Sequence, residues 1–553
     1  MSTTQSGQEK MAPIWVADQG DGTYRNPILH ADYSDPDVIR VGEDFYMTAS
    51  SFSHIPGLPI LHSKDLVNWK LVQYAIQRLD LEGYDVPLHG KGVWAPSIRY
   101  HDGKYWIFFS TPDEGIFMTT ADHPEGEWSP LHLVHEVKGW IDPCPLWDED
   151  GQAYLVHAFA KSRTGIKSKI KVCRMAPDGS RLLDEGQIVF DGTAQHPTIE
   201  GPKFYKRDGY YYIFAPAGGV KPGWQTVLRS EQVFGPYEDR IVMHQGASNV
   251  NGPHQGGYVE LESGESWFIH FQDRDAYGRI VHLQPMKWNE DGWPVIGVDR
   301  EGNGTGEPVD VYIKPDVGAA YPITVPDVSD DFQNDRIGVQ WQWQANSRPE
   351  WAEVVPDKGL VLHMHPYPEG IQSLFGVPQL LMQKLPASAF EATTKLTFLP
   401  KREGDRAGFI VFGDDYACLS LSQTDTGAVR LSLLRGAKQP DNHLHADESE
   451  ETGLDWSEHG SPETGWTIHL RFSLEEPARC QFSWSKDGED FQPIGAPFRA
   501  TTALWVGAKM GVFALNTRSA NRGGQGVFRY FEVNETVEEQ GKEEDQDGTS
   551  HSV

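Results

Sequence analysis

The chain has 553 residues, 39% hydrophobic and 11% aromatic, enough apolar material for packed cores and for two to four domains at roughly 100–200 residues each. Its 48 Lys and Arg stand against 79 Asp and Glu, a formal charge of −31, which repels phosphate backbones and anionic lipid and argues against nucleic acid or a membrane surface as partner. Cys144, Cys173, Cys418 and Cys480 form no C-x-x-C pair, no long apolar run occurs, and Met1–Lys10 lacks the apolar stretch of a signal peptide. A disulfide framework, a thiolate zinc site and a membrane span are therefore not expected, and the expected location is cytoplasmic.

Residues 1–21 read as a flexible N-terminal segment. From there to about residue 320 one pattern recurs: a Gly turn followed by an aromatic-rich alternating run. The turns are Gly42, Gly103, Gly151, Gly209 and Gly264, spaced by 61, 48, 58 and 55 residues. Each Gly lies between two short runs of β-branched and aromatic residues, the pattern of a hairpin. A third apolar run follows, as in Leu61–Trp69, Met118–Trp128 and Val227–Tyr237. Three or four strands per repeat, five times over, predict an all-β, five-bladed β-propeller over 22–320, in preference to one large irregular sandwich.

After the Pro-punctuated stretch Tyr321–Pro326 come further strand-like runs: Leu360–His365, Gly408–Phe412, Ala428–Leu434, Thr467–Phe472 and Gly526–Val533. These predict a jelly-roll-type β-sandwich over 321–534. Trp341 and Trp343 alternate as strand residues do and are expected in core or interface packing. The tail, 535–553, holds seven acids against one Lys and is expected to be disordered.

Just before each Gly turn, the inner strand of each repeat opens on a polar or aromatic residue: Asp35, Trp94, Asp142, Glu200 and His254, at 7, 9, 9, 9 and 10 residues from the Gly. Equivalent positions in successive blades lie around one axis, so these five should ring one mouth of the channel. Singly, each has a plain structural explanation: an Asp before Pro starts a turn, and a His is often a core residue. The shared offset is what points to function. Three clustered carboxylates raise one another's pKa and cost stability, which building a propeller does not require. Without a Cys/His ligand cluster, they suit glycosidic hydrolysis, where one carboxyl protonates the leaving oxygen and another activates water or attacks carbon.

At these residues the chain resembles the family 43 glycoside hydrolases: β-xylosidases, α-L-arabinofuranosidases and arabinanases. The motifs are Ser-Asp-Pro-Asp-Val around Asp35, Ile-Asp-Pro around Asp142 and Ile-Glu-Gly-Pro around Glu200. The resemblance spans 24 to about 318, and extends through a sandwich like that of the two-domain exo-acting members. It implies Asp35 as general base, Glu200 as general acid and Asp142 as the residue that raises the acid's pKa and holds it in place. It implies single-displacement inversion, for which base and acid stand roughly 6.5–9.5 Å apart. It further implies Phe52 and Trp94 as pocket walls, Arg279 of Tyr-Gly-Arg as a substrate-binding residue, and His254 as a channel-centre residue near substrate.

In many members that His holds a structural Ca²⁺, largely through waters. No cofactor is required for the chemistry, and Pro-His-Gln-Gly here differs from the Gly-His-Gly common among relatives, which leaves the metal open. Asp148–Gly151 fits a hairpin turn and lacks the later ligands of a Ca²⁺ loop. Ser53-His54-Ile55-Pro56 replaces aromatics that some xylosidases carry, and is expected to reshape the sugar site. Leu504-Trp505-Val506-Gly507 resembles a stretch that can cap the active site, although core packing is the expected role of Trp505.

The activity so implied is exo-release of β-D-xylose, α-L-arabinofuranose or both from the non-reducing ends of short xylan- or arabinan-derived oligosaccharides. Alternatives are an endo-arabinanase, a retaining fructosidase (whose Asn-Asp-Pro-type motif is missing here) and a non-catalytic carbohydrate-binding propeller. The partner implied is a small oligosaccharide, with homo-oligomerisation left open.

Overall fold

The computed structural model describes residues 13–439, 442–518 and 520–536. Five four-stranded antiparallel sheets follow one another in chain order. The first is Asp37–Val41, Asp44–Thr48, Gly57–Ser63 and Trp69–Ile76; the last is His254–Glu260, Ser266–Asp273, Arg279–Trp288 and Pro294–Ile296. The five hairpin glycines all adopt left-handed φ, between +63° and +88°, the conformation that a tight hairpin turn demands.

Alternation within the second strand of each blade explains the ring. Tyr105, Ile107 and Phe109 face the first blade, while Trp106 and Phe108 face the third. Tyr212 and Phe214 face the fifth blade, while Ile213 and Ala215 face the third. A strand with period-2 side chains and apolar residues on both faces must be covered on both. A blade between two blades satisfies that, with one hydrophobic core per neighbouring pair.

No strand is shared between the first and last blades. The ring is closed by a clasp in which Thr23–Arg25 pairs with Val311–Ile313. The Asn26 amide donates to the carbonyls of Leu283 and Val309 at 2.8 and 2.9 Å and accepts from Leu283 N at 2.8 Å. Residues 13–21, expected above to be flexible, are packed instead. Ile14 and Trp15 lie against the sandwich core, Trp15 Nε1 donates to Pro27 O at 2.9 Å, and Arg25 N donates to Ala17 O. The tail expectation for 537–553 lies outside the described residues.

The second domain is a β-sandwich of two large sheets. Each of the five strand-like runs read from sequence falls on one of its strands to within two residues at the ends. It is docked by specific bonds. Trp343 and Ile55 exchange both backbone hydrogen bonds, at 2.6 and 3.0 Å, and the Asn346 amide brackets the Leu79 backbone at 2.9 Å on each side. Ala276, Tyr277 and Ile280 of the fifth blade belong to the sandwich's own core. Tyr277 Oη donates to Ser388 O and accepts from Ala478 N.

Candidate active site

The inner strands bring the predicted ring together at one mouth of the channel. Asp35 is buried, with φ +55°. Its Oδ2 accepts from Ser34 Oγ at 2.8 Å and Ser50 Oγ at 2.6 Å. Its Oδ1 accepts from Arg279 Nη1 at 3.0 Å, and the same Nη1 donates to Ser34 Oγ at 2.6 Å. This carboxylate is fixed in orientation by three donors from two blades.

Asp142 lies in a register shift of its strand between Ile141 and Cys144, with φ +58°. The shift aims its carboxyl at the next blade, where Oδ2 accepts the backbone N–H of Gly201 at 2.8 Å. Gly201 has φ +59°, and a Cβ there would stand 2.7 Å from Gln255 Cδ, which accounts for the Gly of Ile-Glu-Gly-Pro. Glu200 is the most open of the three carboxylates, its side chain 31% exposed, with Oε1 3.1 Å from His254 Nε2.

Burial drives the Asp142 pKa up to about 8, the charges of Glu200 and then Asp35 add to this, and the Gly201 N–H opposes it. The three carboxyls are therefore coupled, and the cluster as a whole binds a proton more tightly than separate carboxyls would. Below it the channel is filled by Lys203, whose Nζ donates to Pro96 O across the ring, and by Arg99, paired with Asp37. Lys203 acts to lower the Asp142 pKa but is the weakest of the named influences.

Phe52 and Trp94 meet edge to face at 6.3 Å between ring centroids. Trp505, expected above in core packing, reaches the propeller instead. It is 46% exposed, lies 6.1 Å from the Trp94 ring, and has the Arg279 guanidinium 5.9 Å from its centroid. The sandwich core is already filled by other aromatics, and the 502–507 turn projects from it. Non-glycine residues with left-handed φ cluster here: Asp35, Phe52, Asp142, Gln255 and Trp505, a concentration of backbone strain of the kind found at working sites.

Ile55 does not reach the pocket. It is buried between the first two blades, because its backbone pairs with Trp343 and turns its side chain inward. His54 lines a cleft with His89, Leu504, Val506 and Lys509. Burial, with Lys509, Lys384 and His89 nearby, holds its pKa well below the ordinary value.

Among the described residues His254 is offered no all-protein shell for Ca²⁺, so an ion there would be held largely through waters. Among the described residues no group of three or more His, Cys, Asp or Glu comes together as a ligand set. Next along the channel are His270, bonded to Gln284, and His282, bonded to Gln272, whereas Ca²⁺ takes a shell of six to eight oxygens.

Sequence reading missed Ser50 and Asp32, and for Trp505 it ranked core packing above the resemblance of Leu504–Gly507 to an active-site cap; Ser34 lies inside the Ser-Asp-Pro motif and carried a signal. Three carboxylates with unlike partners, beside edge-to-face aromatics on a propeller, make up the working parts of a glycoside hydrolase. Residues 24–294 match the family model "Glycosyl hydrolases family 43", and residues 329–534 match "Beta xylosidase C-terminal Concanavalin A-like domain". The chain belongs to glycoside hydrolase family 43.

A protein of Xylanibacter ruminicola, provisionally named a beta-xylosidase, is 42% identical over 504 residues, 89% of this chain and 86% of its own. A non-reducing end alpha-L-arabinofuranosidase of Bacteroides ovatus is 30% identical over 450 residues, 76% of this chain and 80% of its own. The fold is shared with a xylan beta-1,4-xylosidase from Bacillus halodurans, at TM-score 0.79 and 24% identity, over 92% of this chain and 100% of that one.

Proposed function

We propose that the protein is an inverting exo-glycosidase that removes β-D-xylose, α-L-arabinofuranose or both from the non-reducing ends of short oligosaccharides. The observation that carries this reading is the contrast between Asp35 and Glu200. Asp35 is buried and bound by a guanidinium and two hydroxyls, an arrangement suited to an ionised base. Glu200 is partly open and has the single neighbour His254 at hydrogen-bonding distance, which leaves it free to meet a leaving oxygen.

Water attacks the anomeric carbon as its proton passes to Asp35. The glycosidic C–O bond breaks as the Glu200 proton passes to the leaving oxygen. Transfer of the proton from Asp35 back to Glu200 through solvent resets the site. Asp142 holds the backbone beside Glu200 through Gly201, and the two carboxyls are close enough for their charges to couple. Arg279 orients Asp35, and Phe52, Trp94 and Trp505 wall the sugar. The proposed steps use only these residues.

Exo action is supported by Leu504 and Trp505 lying against Gly90 and Trp94, which narrows the room for an extended polysaccharide on that side. Both sugars stay within the proposal because the relatives carry both names. The test is nitrophenol release from the β-D-xylopyranoside and the α-L-arabinofuranoside, with Asp35→Ala as control and proton NMR of the first-formed sugar. Turnover lost in the variant and an inverted anomer are expected. Retention of configuration, or binding without cleavage, would defeat the proposal.

A further inference from the structure

We infer that Asp32 is a positioning residue of this pocket: its carboxylate joins the arginine that holds the base to the segment of the sandwich that covers the sugar. The inference rests on the glycosidase reading above. Asp32 is 5% exposed. Its Oδ1 accepts the backbone N–H of Arg279 at 2.9 Å, and its Oδ2 accepts the backbone N–H of Gly507 at 2.9 Å. One carboxylate thus spans two domains, one oxygen to each.

What it holds matters for the site. The loop bearing Asp32 grips Arg279 at both ends, Asp32 taking the backbone and Ser34 and Asp35 the guanidinium. Gly507 follows Trp505 by two residues. The 502–506 turn is closed on itself, with Ala503 N donating to Val506 O and Thr502 Oγ1 to the same carbonyl. It is tied to the propeller by Gly507 N donating to the Asp32 carboxylate at 2.9 Å and Ala508 N donating to Ala276 O at 2.7 Å. Trp505 itself is half open and has φ +68°, so its place over the pocket depends on those ties.

The surroundings are shaped for this contact. Gly278 has φ +77°, and a Cβ on it would lie 2.5 Å from Asp32 Cγ. A Cβ on Gly507 would lie 2.6 Å from Gly278 N. Lys384, partly buried, and Lys509, buried, are the lysines of sandwich strands whose charged form burial disfavours and Asp32 favours. A buried carboxylate needs such compensation, whereas a purely structural tie between loops is made as well by a backbone carbonyl. An amide in place of the carboxylate offers one acceptor oxygen and turns an N–H₂ toward the other backbone N–H.

The experiment is a double-mutant cycle on the two nitrophenyl glycosides with Asp32→Asn, Trp505→Ala and the double variant, with rates taken per folded molecule. Asp32→Asn is expected to lower kcat/KM by about 10- to 100-fold in the wild-type background, the scale of a small misplacement. In the Trp505→Ala background the same change is expected to cost less than about 5-fold, because part of what Asp32 positions is gone. Effects that add within about 2-fold, or a lowered melting temperature with unchanged kcat/KM, would overturn the inference. If Asp32→Asn does not fold, Gly507→Ala displaces the cap from Asp32 and carries the same expectation, and unchanged kinetics there would overturn it. A wild-type enzyme silent on both substrates would overturn the glycosidase reading and this inference together. An active wild type with an additive cycle removes only the role of Asp32.

Discussion

Asp142 Oδ2 accepts the backbone N–H of Gly201 at 2.8 Å, so a carboxyl of the third blade is fastened to the residue that follows Glu200 in the fourth. The bond places the proposed acid through its backbone and leaves the Glu200 side chain free to meet the substrate.

The buried carboxyl has a consequence for stability. The Asp142 pKa rises from 3.8 to about 8 on folding. Below pH 3.8 both folded and unfolded forms are protonated and nothing is lost. As pH rises from there, the unfolded chain releases the proton while the native chain keeps it, so native stability falls until pH passes about 8. Asp142→Asn keeps an acceptor for Gly201 without that penalty. Melting scans across this range should show the variant gaining on the wild type as pH rises and the gap levelling off above about pH 8. Each kcal/mol gained should appear as about 1–2 °C in a chain of this length. The variant's kcat/KM should fall by about 100-fold or more. A gap that does not change with pH would mean that Asp142 is ionised in the native state.

Arg279 and Asp35 form a buried ion pair, each side chain about nine-tenths covered. Removing one member of such a pair strands the other and costs about 3–5 kcal/mol. Arg279→Ala should lower stability by that order in a denaturant titration and abolish turnover. Arg279→Lys keeps the charge but not the planar fork that reaches Ser34 and Asp35 together. It should recover most of the stability while kcat/KM stays about 100-fold or more below wild type. Equal recovery of both would reduce the arginine to a counter-ion.

The propeller was legible in sequence because its signals are local. Gly42, Gly103, Gly151, Gly209 and Gly264 each mark a hairpin, and two-sided alternation such as that of Tyr105–Phe109 requires a neighbour on each face. The carboxylates were legible because repetition turns a common offset into a common place around the axis. Asp32 was not, since its partner Gly507 lies 475 residues away and no periodicity records such a contact. Trp505 reads as a core residue from its type, against the resemblance of its segment to a cap, and the docking of the sandwich decides for the cap. Ile55 misled because it is close in sequence to Phe52, yet its backbone pairs with Trp343 and its side chain points into the inter-blade core. Residues 13–21 follow a polar start and read as loose, while Ile14 and Trp15 pack on a domain that begins some three hundred residues later.

Trp505 is half exposed and touches Trp94 and Arg279 at ring distances of about 6 Å. Its removal therefore exposes little core, and Trp505→Ala should leave stability within about 0.5 kcal/mol. The sugar, however, loses a wall. The expected result is a kcat/KM about 10-fold or more lower, carried mainly by KM, with Trp505→Phe recovering a large part through its ring. A large drop in stability with KM unchanged would return Trp505 to a packing role.

The acid assignment has a separate signature, because Glu200 matters in proportion to how badly the leaving group needs a proton. An alcohol leaving from xylobiose departs as a strongly basic oxygen unless protonated, so loss of the acid is felt in full, at about 100- to 10,000-fold in kcat. A dinitrophenolate leaves unaided, and the same enzyme should then lose less than about 10-fold. Glu200→Ala, assayed side by side on xylobiose and on the dinitrophenyl glycoside, should separate the two by at least about one order of magnitude. Asp35→Ala should depress both equally, since attack by water is common to both. Equal losses for Glu200→Ala on the two substrates would mean that the residue beside His254 holds the sugar without protonating it, and the acid would have to be sought in Asp142, the neighbouring carboxyl of the cluster.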